Sequence, residues 1–244
     1  MKENHFVIVI PVYNAENYIE KSIESVLFQY YKDYDLIVID DCSTDGTYDI
    51  ICNLHKKYGT FIKIRNDVRV GSPLHNLITG INILSKNDED IIITVDGDDW
   101  LYNNSVLFYL NEAYQNDNVF MTYGSFIPAS GNYGKYGWPI SDFRSYRQSN
   151  LWLASHLRTF KRKIWNLIND MDLRDVDGEY FKYAGDTAVL YPLLEMCGRN
   201  HTKYIDDILY VYNDLNPINE MKIYRDEQLR ILSTLKAKIS YPEL

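Results

Sequence analysis

Three acidic residues are crowded into four positions of this sequence, at Asp96, Asp98 and Asp99, with Gly97 between the first two. Carboxylates this close repel one another, so a pKa among them rises unless a cation lies between them. Oxygen-rich clusters suit Mg²⁺ or Mn²⁺, and Mg²⁺ typically takes one or two protein carboxylates and completes its shell with phosphate oxygens and water. The cluster therefore indicates a site for a divalent cation with a diphosphate. A solvated acidic turn is the alternative, because turns also favour Asp and Gly.

A second acidic pair, Asp40 and Asp41, stands earlier in the chain. A carboxylate at this position can accept a hydrogen bond from a nucleobase N–H, such as the one in uracil. The alternative is an N-cap for the helix that follows. Ser43 or Thr44 can supply that cap, so we expect the acidic pair to be available to a ligand.

The segments before these clusters have the pattern of buried strands. Apolar runs rich in β-branched residues predict four strands, at 6–10, 35–39, 61–64 and 91–95. Apolar residues at helical spacing separate them, which predicts an α/β fold with a Rossmann-like, mostly parallel sheet and helices on both faces. Ligands bind beyond the carboxyl ends of such strands. Both acidic clusters, together with the loop Pro11-Val12-Tyr13-Asn14 after the first strand, should therefore lie at one edge of the sheet.

The second half of the sequence is less regular. Its apolar spacing predicts a short helix near Val106, a second helix over 187–196 and a C-terminal helix over 222–239. The last of these should turn one apolar stripe inward, formed by Leu229, Leu232, Leu235 and Ile239. Strands are expected at 119–123 and within 203–212, with a Gly- and Pro-rich loop over 128–142.

The amino-acid composition excludes several classes of function for this protein. The chain carries 25 Lys and Arg against 34 Asp and Glu, a net charge of −9, which argues against broad nucleic-acid binding. Three cysteines without a C-x-x-C pair exclude a disulfide framework and a zinc knuckle, and fit a reducing compartment. No stretch approaches the ~18 apolar residues of a membrane helix, and the N-terminal segment does not have a signal-peptide pattern. We therefore expect a cytoplasmic protein.

Three segments together resemble the nucleotide-sugar signatures of family 2 glycosyltransferases, which have the GT-A fold. They are Val9-Ile10-Pro11-Val12-Tyr13-Asn14, Val38-Ile39-Asp40-Asp41-Cys42-Ser43-Thr44-Asp45-Gly46-Thr47 and Val95-Asp96-Gly97-Asp98-Asp99. The resemblance covers about residues 6–212, and its specificity comes from the order and spacing of the three segments. It implies an inverting transferase whose donor is a nucleoside diphosphate sugar, most often a UDP-sugar.

The resemblance also implies roles for individual residues. Pro11, Tyr13 and Asn14 belong to the loop that lies against the base, and Asp41 is the residue that meets the uracil. The segment of Asp96 and Gly97 holds the ribose, while Asp98, with Asp99 beside it, holds Mn²⁺ or Mg²⁺. Gly71 and Asn76 resemble a further segment near the nucleotide. This sequence departs there from the family pattern, with Arg69 where Asn is usual and His75 where Arg is usual.

The acceptor half of the family carries a Glu-Asp pair at the start of a helix, and the Asp is the general base. The matching stretch here is Gly185-Asp186, so Asp186 is the candidate base while Gly185 replaces the Glu. The alternative for Asp186 is an N-cap. The Gln-x-x-Arg-Trp signature of polymer synthases is absent, which favours transfer of one sugar. Asn213 stands near the position of a metal-binding His in some members.

These observations predict a single GT-A domain over 1–212, with a nucleotide-sugar half at 1–100 and an acceptor half at 101–212. Residues 213–244 should form a helical tail packed on that domain. The expected acceptor is a hydroxyl of a glycan, a lipid-linked molecule or a protein. The alternatives are a sugar-phosphate nucleotidyltransferase, which the Gly-free first loop argues against, and an inactive nucleotide-sugar-binding module.

Several further side chains are candidates for the acceptor side. His156 and Trp138 are considered for contact with a sugar, and Arg158 for contact with phosphate, although a structural role is the alternative for each. Basic residues in two segments raise the possibility of peripheral contact with an anionic membrane surface. They are Arg158, Lys161, Arg162 and Lys163 in the first segment, and Lys222, Arg225, Arg230, Lys236 and Lys238 in the second.

Overall fold

The computed structural model describes residues 2–131, 134–217 and 223–244. The strands are β1 (Phe6–Val12), β2 (Tyr34–Asp40), β3 (Ile62–Arg65), β4 (Ile91–Thr94), β5 (Trp100–Leu101), β6 (Met121–Gly124), β7 (Phe126–Pro128), β8 (Ser155–Lys161), β9 (Thr202–Tyr204) and β10 (Tyr210–Tyr212). The α-helices are α1 (Ile19–Leu27), α2 (Thr47–Tyr58), α3 (Pro73–Leu84), α4 (Val106–Ala113), α5 (Arg162–Trp165), α6 (Gly185–His201) and α7 (Arg225–Ala237).

Seven strands form the central sheet, in the order β3-β2-β1-β4-β8-β6-β9. The first four are parallel, β8 is antiparallel to both of its neighbours, and β9 is parallel to β6. A small second sheet has the order β5-β10-β7. The α/β class with a mostly parallel sheet is therefore confirmed, and β8 introduces the change of direction in its middle.

Side chains of the central strands alternate between two apolar cores because successive residues of a strand point to opposite faces. On β1, Phe6 and Ile8 belong to the core that α1, α2 and α4 cover. Val7 and Val9 belong to the other core, which contains residues of α3, α5, α6 and α7. Both faces of the parallel strands are buried, which explains why these strands are continuous apolar runs in the sequence.

Strand β8 was not predicted. Its segment alternates Ser155, Leu157 and Thr159 with His156 and Arg158, so its polarity hides the strand. The small strands β5 and β7 were also not predicted, and the region 203–212 contains two strands where one was expected. These strands have two to seven residues and are held by partners distant in the chain, which a local pattern does not reveal.

The C-terminal helix is shorter than predicted and turns a different stripe inward. It spans Arg225–Ala237, and Lys222 lies outside the described residues. Its buried residues are Ile231 and Leu235, whereas Leu229 is 56% exposed and Ile239 is 90% exposed, so the expectation for those two is wrong. Ile231 and Leu235 join the core that includes α6, and this contact selects the buried stripe. The division between 1–212 and a separate tail stays a prediction.

Within the described residues, no helix combines the length and the apolar character that crossing a membrane requires.

Candidate active site

The carboxyl ends of β1, β2 and β4 meet at one edge of the sheet, as predicted. The N–H of Asp41 donates to the carbonyl of Val12 at 2.8 Å, and the N–H of Gly97 donates to the carbonyl of Pro11 at 3.1 Å. These bonds continue the ladders past the strand ends and bring both acidic clusters beside the first loop. Gly97 is required for this close approach, because a Cβ at Gly97 would lie 2.5 Å from Cβ of Val12.

The Asp40–Asp41 pair is less available than the sequence suggested. Asp40 is fully buried, and its carboxylate accepts the N–H of Ser43 and pairs with Arg65 at 3.3 Å. Burial is the main reason that the pKa of Asp40 is raised. Asp40 therefore stabilises the turn after β2, and the expectation that it is free for a ligand is wrong. A buried carboxylate must be hydrogen-bonded, and the turn supplies the donors.

Asp41 is 4% exposed and holds the loop that leads into α3. Its Oδ1 accepts bonds from Nδ2 of Asn66 at 2.7 Å and from the N–H of Val70 at 2.9 Å. Its Oδ2 accepts the N–H of Gly71 at 2.7 Å, and Gly71 has a φ of +72°, which favours glycine. A carboxylate oxygen has two lone pairs, so Oδ2 keeps one for a further donor.

Asn76 belongs to the same network and is 2% exposed. Its Oδ1 accepts a bond from Nδ2 of Asn66 at 3.0 Å. The structure therefore places both Gly71 and Asn76 next to Asp41, with Asn76 inside the protein.

The first loop is fixed to the turn after β2 through Asn14. Its Oδ1 accepts the N–H of Thr44 at 2.8 Å, and its own N–H donates to Oγ of Ser43 at 2.9 Å. Next to it, the guanidinium of Arg69 lies 3.8 Å from the ring centroid of Tyr13. Stacking of a cation on an aromatic face is attractive. Arg69, which departs from the family pattern, thus forms a flat surface together with Tyr13.

The three acidic residues after β4 differ in their exposure to solvent. Asp96 and Asp98 are partly exposed, whereas Asp99 is 1% exposed and its Oδ1 accepts the N–H of Asn213 at 2.7 Å. Oδ2 of Asp98 accepts a bond from Nδ2 of Asn216 at 2.7 Å. Asp99 therefore ties the cluster to the segment after β10, while Asp98 presents its carboxylate at the strand edge.

Burial and mutual repulsion raise the pKa values of these carboxylates. Burial, then the charges of Asp98 and Asp186, raise the pKa of Asp96 to about 7, although Arg158 opposes the shift. Burial raises the pKa of Asp98, and burial together with the charges of Asp98 and Asp96 raises that of Asp99. Ionising these carboxylates together is therefore unfavourable without a cation, and a bound cation would stabilise their charged forms.

Asp186 lies across the cleft from Asp96, in the first turn of α6. Its Oδ2 accepts a bond from Nη1 of Arg158 at 2.8 Å, and its Oδ1 accepts the N–H of Thr187 at 2.7 Å. Burial would raise the pKa of Asp186, but the charge and hydrogen bond of Arg158 outweigh it and lower the pKa below its usual value. Half of its side-chain surface is exposed, so this carboxylate is ionised and open to the cleft.

The N-cap alternative for Asp186 is wrong, because Ala184, with a φ of +53°, occupies that position. Asp186 instead lies two residues after Ala184, in the first turn of α6, where the helix dipole favours a negative charge.

His156 is a neutral neighbour of this pair. Burial and the nearby charge of Arg158 lower the pKa of His156 to about 3. Its ring stacks on Tyr210 with centroids 4.6 Å apart, and its Nε2 is 3.4 Å from Nη2 of Arg158. The ring therefore accepts from Arg158 and helps to fix its orientation.

An open cleft joins these groups and continues inward between apolar side chains, with about 680 Å³ of empty space that includes the open solvent at its mouth. We call the inward part the inner cavity. Its polar lining residues are Thr94, Asp96, His156, Arg158 and Asp186, beside Pro11 and Gly185. Its apolar lining residues are Pro73, Leu74, Leu77, Met121, Phe160, Val189, Leu190 and Leu193.

Arg158 is the functional residue whose position the sequence did not reveal. Its side chain is only 12% exposed, and its guanidinium also lies 5.2 Å from the ring centroid of Trp152. His156, Arg158 and Phe160 alternate along β8 and all line the cleft. In a strand, every second side chain points to the same face, and this spacing is the signal that groups the three residues. It can be recognised only once the segment is known to be a strand. Asn216 and Tyr210 were also not predicted at this site.

The basic segments do not form one surface. Lys161 is 1% exposed and bonds to Glu89 at 2.7 Å, and Lys163 bonds to the same carboxylate at 2.8 Å. On α7, Arg230 pairs with Glu227, while Lys236 and Lys238 donate to backbone carbonyls. Most of these cations are already used inside the protein, so a basic membrane-binding face is not supported. Trp138 is 45% exposed in its loop.

No group of three or more His, Cys, Asp or Glu side chains could hold a metal ion alone in the part of the chain that the structure describes. A cation at Asp98 would therefore need oxygens from a substrate. Mg²⁺ commonly binds in this way, through one or two carboxylates together with phosphates. The chemistry of Asp98 and its neighbours fits such an ion.

Two solved structures illustrate which known proteins have a similar fold. The structure of Staphylococcus aureus TarS 1–349 in complex with UDP-GlcNAc has a TM-score of 0.65 at 18% identity, covering 95% of this chain and 66% of that one. The mannosyltransferase PcManGT from Pyrobaculum calidifontis, in complex with GDP-Man and Mn²⁺, has a TM-score of 0.67 at 15% identity, covering 98% and 66%. This likeness confirms the GT-A fold.

Similarity in sequence points the same way. The glycosyltransferase GlyA of Streptococcus pneumoniae is 30% identical over 131 residues, which are 53% of this chain and 18% of GlyA. The poly(ribitol-phosphate) beta-glucosyltransferase of Bacillus spizizenii is 34% identical over 113 residues, 46% of this chain and 17% of that protein. The chain thus spans less than a fifth of these two relatives. The model of Glycosyl transferase family 2 matches residues 7–181, and this chain belongs to that family.

Proposed function

We propose that this chain transfers one sugar from a UDP-sugar to an acceptor hydroxyl, with inversion at the anomeric carbon and Asp186 as the general base. The observation that carries the proposal is the position of Asp186. It is a carboxylate with a lowered pKa that lines the same cleft as Asp96, with one oxygen held by Arg158. The UDP-GlcNAc and GDP-Man bound to the similar structures support a nucleotide-sugar donor.

The donor would lie along the edge of the sheet. Tyr13 and Arg69 offer a flat surface for the base, and Asp41 has a lone pair for a base N–H. Asp98, with Asp96 beside it, would hold Mn²⁺ or Mg²⁺, and such an ion supplies positive charge to the diphosphate. Asp99 would act indirectly, because it anchors the segment after β10.

In the reaction, the acceptor oxygen attacks the anomeric carbon from the face opposite the diphosphate. The bond from that carbon to the phosphate oxygen breaks, and UDP leaves with the electron pair. Asp186 takes the proton from the attacking hydroxyl. One displacement needs one base and no enzyme nucleophile, which gives inversion. The acceptor, whether a glycan, a lipid-linked molecule or a protein, stays a prediction.

A donor screen tests this function. We expect the protein, incubated with Mn²⁺ and a panel of nucleotide sugars, to release UDP slowly from at least one UDP-sugar by hydrolysis. UDP is measured by a coupled assay, and the Asp186→Asn variant is the control for contaminating activity. Failure of all UDP-sugars to bind or to release UDP would contradict the proposal.

The ion pair between Arg158 and Asp186 predicts a pH effect. Arg158 lowers the pKa of Asp186, so the basic form is present down to low pH in the wild type. Arg158→Met removes the main group that opposes the effect of burial, so the pKa of Asp186 rises and the acid limb of kcat/KM moves to higher pH. The measurement is kcat/KM between pH 4.5 and 9, which reports groups of the free enzyme.

The shape of this pH profile is the readout, because Arg158→Met also changes the absolute rate if the guanidinium contacts substrate. Arg158→Lys keeps the positive charge and should restore most of the wild-type acid limb. If the acid limb lies at the same pH in the wild type, in Arg158→Met and in Arg158→Lys, then Arg158 does not set the pKa of Asp186.

A further inference from the structure

The inner cavity changes character with depth. At its opening, the side chain of Asp186 is 50% exposed, and Arg158 and Asp96 lie beside it. The apolar lining residues are much less exposed: Leu77 is 7% and Val189 is 5% exposed, whereas Met121 and Leu193 are at most 1% exposed. Polar groups are therefore collected at the opening, and the accessible apolar surface lies at residues such as Leu77 and Val189.

The apolar wall of the cavity comes largely from α6, the helix that carries Asp186. Val189, Leu190 and Leu193 follow Asp186 by three, four and seven residues and all line the cavity. This spacing places them on one face of the helix, below the carboxylate. The same helix thus supplies the candidate base at the opening and the apolar wall behind it.

Gly185 leaves the edge of the cavity without a polar side chain. A Cβ at this position would lie 2.8 Å from Cβ of Leu74, so α6 approaches α3 closely here. Leu74 occupies the space beside Gly185 and lines the cavity as well. Next to the candidate base, the protein therefore presents a hydrocarbon group to whatever lies in the cleft.

The proposed function determines which part of the substrate lies over this cavity. The anomeric carbon must reach both the diphosphate near Asp98 and the acceptor hydroxyl near Asp186. The donor sugar consequently spans the distance between them, over Asp96. Because Asp96 and Asp186 both line the opening of the inner cavity, a substituent of the donor sugar is positioned to enter it.

We propose, on the basis of that proposed function, that the inner cavity receives a methyl-bearing substituent of the donor sugar and makes the enzyme select such donors over the parent hexose. An acetamido group and the C6 methyl of a 6-deoxy sugar both provide this chemistry. A hydroxyl placed against Leu77 and Val189 would lose its hydrogen bonds with water, which is unfavourable, whereas a methyl group gains contacts there.

The two sources of the methyl group make different demands at the opening. An acetamido group also brings a carbonyl and an N–H, which need partners. The guanidinium of Arg158 and the carboxylate of Asp96 are beside the opening and can supply a donor and an acceptor. A 6-deoxy methyl needs neither.

The experiment compares three donors that share one nucleotide: UDP-glucose, UDP-N-acetylglucosamine and UDP-6-deoxyglucose. We expect kcat/KM for UDP release to be about 10- to 200-fold higher for one methyl-bearing donor than for UDP-glucose, the range that one methylene-sized group gives in an apolar pocket. The preferred donor identifies the substituent. Equal rates for all three, or preference for UDP-glucose, would overturn the inference while leaving the proposed transferase function intact.

Variants of Leu193 connect the preference to the cavity. Leu193→Phe should fill the space and reduce the preference to less than about threefold, and the volume-conserving Leu193→Met should keep it. UDP affinity and the unfolding temperature show whether each variant is folded. A folded Leu193→Phe that retains the full preference would contradict the proposal.

A second variant covers the case in which Leu193→Phe does not fold. Leu193→Ala enlarges the cavity, so it should improve kcat/KM for a donor with a longer chain, UDP-N-propionylglucosamine or UDP-6,7-dideoxyheptose, relative to its methyl-bearing parent. An unchanged ratio in Leu193→Ala would show that the substituent does not enter the inner cavity. If no nucleotide sugar binds to the wild type, both the inference and the proposed function fail.

Discussion

Asp186→Asn should lower kcat for sugar transfer by about 10²- to 10⁴-fold, the contribution typical of a general base. The single amide oxygen can still accept the N–H of Thr187, so the start of α6 should keep its structure, although the bond from Arg158 to the second carboxylate oxygen is lost. The amide cannot take a proton from the acceptor hydroxyl at neutral pH. Turnover is measured with the donor found in the screen, and the Kd of UDP is measured by calorimetry.

The expected pattern is a loss of kcat with a UDP Kd within about threefold of the wild type, because Asp186 lies opposite the nucleotide edge. Asp170→Asn is a matched control. Asp170 is an exposed carboxylate that also pairs with an arginine, Arg174, but it does not line the cleft. Near-normal turnover in Asp186→Asn would remove Asp186 from the role of base.

Asp98→Ala should weaken Mn²⁺-dependent UDP binding by at least about 100-fold. Losing even an outer partner of a metal ligand typically costs 10- to 100-fold in metal affinity, and Asp98 is the proposed ligand itself. Without a cation, the carboxylates of Asp96 and Asp98 offer no attraction to the diphosphate of UDP and repel it when ionised. Calorimetry with UDP in Mn²⁺, and again in EDTA, measures the effect.

In the wild type we expect EDTA to abolish most UDP binding, and in Asp98→Ala we expect the two conditions to give similarly weak binding. Asp117→Ala is the control for net charge, since Asp117 is 81% exposed and pairs with Lys2, which precedes β1 at the other edge of the sheet. Equal UDP affinity with and without the cation in the wild type would exclude a metal-dependent donor site.

The inner cavity and the catalytic groups are connected through the same helix. A substitution on α6 that changes donor preference can therefore shift Asp186 as well. For this reason the cavity variants are compared by the ratio of their kcat/KM values for two donors, whereas Asp186→Asn is assessed by kcat. The two readouts separate selection of the sugar from proton transfer.

The fold was predictable because its dominant strands are buried on both faces. Strands β1, β2 and β4 are continuous apolar runs, and the loops after them carry the polar residues. In a parallel sheet these loops must meet at one edge. The grouping of Tyr13, Asp41 and Asp96 therefore followed from order along the chain alone.

The second half was less predictable because its strands are short and its pairing is long-range. Strand β8 reverses direction between β4 and β6, and its polar alternation hid it in the sequence. Its partners are about 70 and 35 residues earlier in the chain, so no local pattern could specify the pairing. As a result, the sequence indicated Arg158 only as a candidate for contact with phosphate, and its ion pair with Asp186 in the cleft was not predictable.

Local periodicity and residue order were enough to indicate the family, the parallel half of the sheet and the edge where the acidic clusters lie. Which of those residues remain available to a ligand depends on how the chain packs. Asp40 and Asn76 are buried in hydrogen-bond networks, Asp99 anchors the segment after β10, and Asp186 is paired with Arg158 from β8. The pairing of a carboxylate depends on the donors that distant segments bring within about 3 Å, and only the packing of the chain determines those contacts.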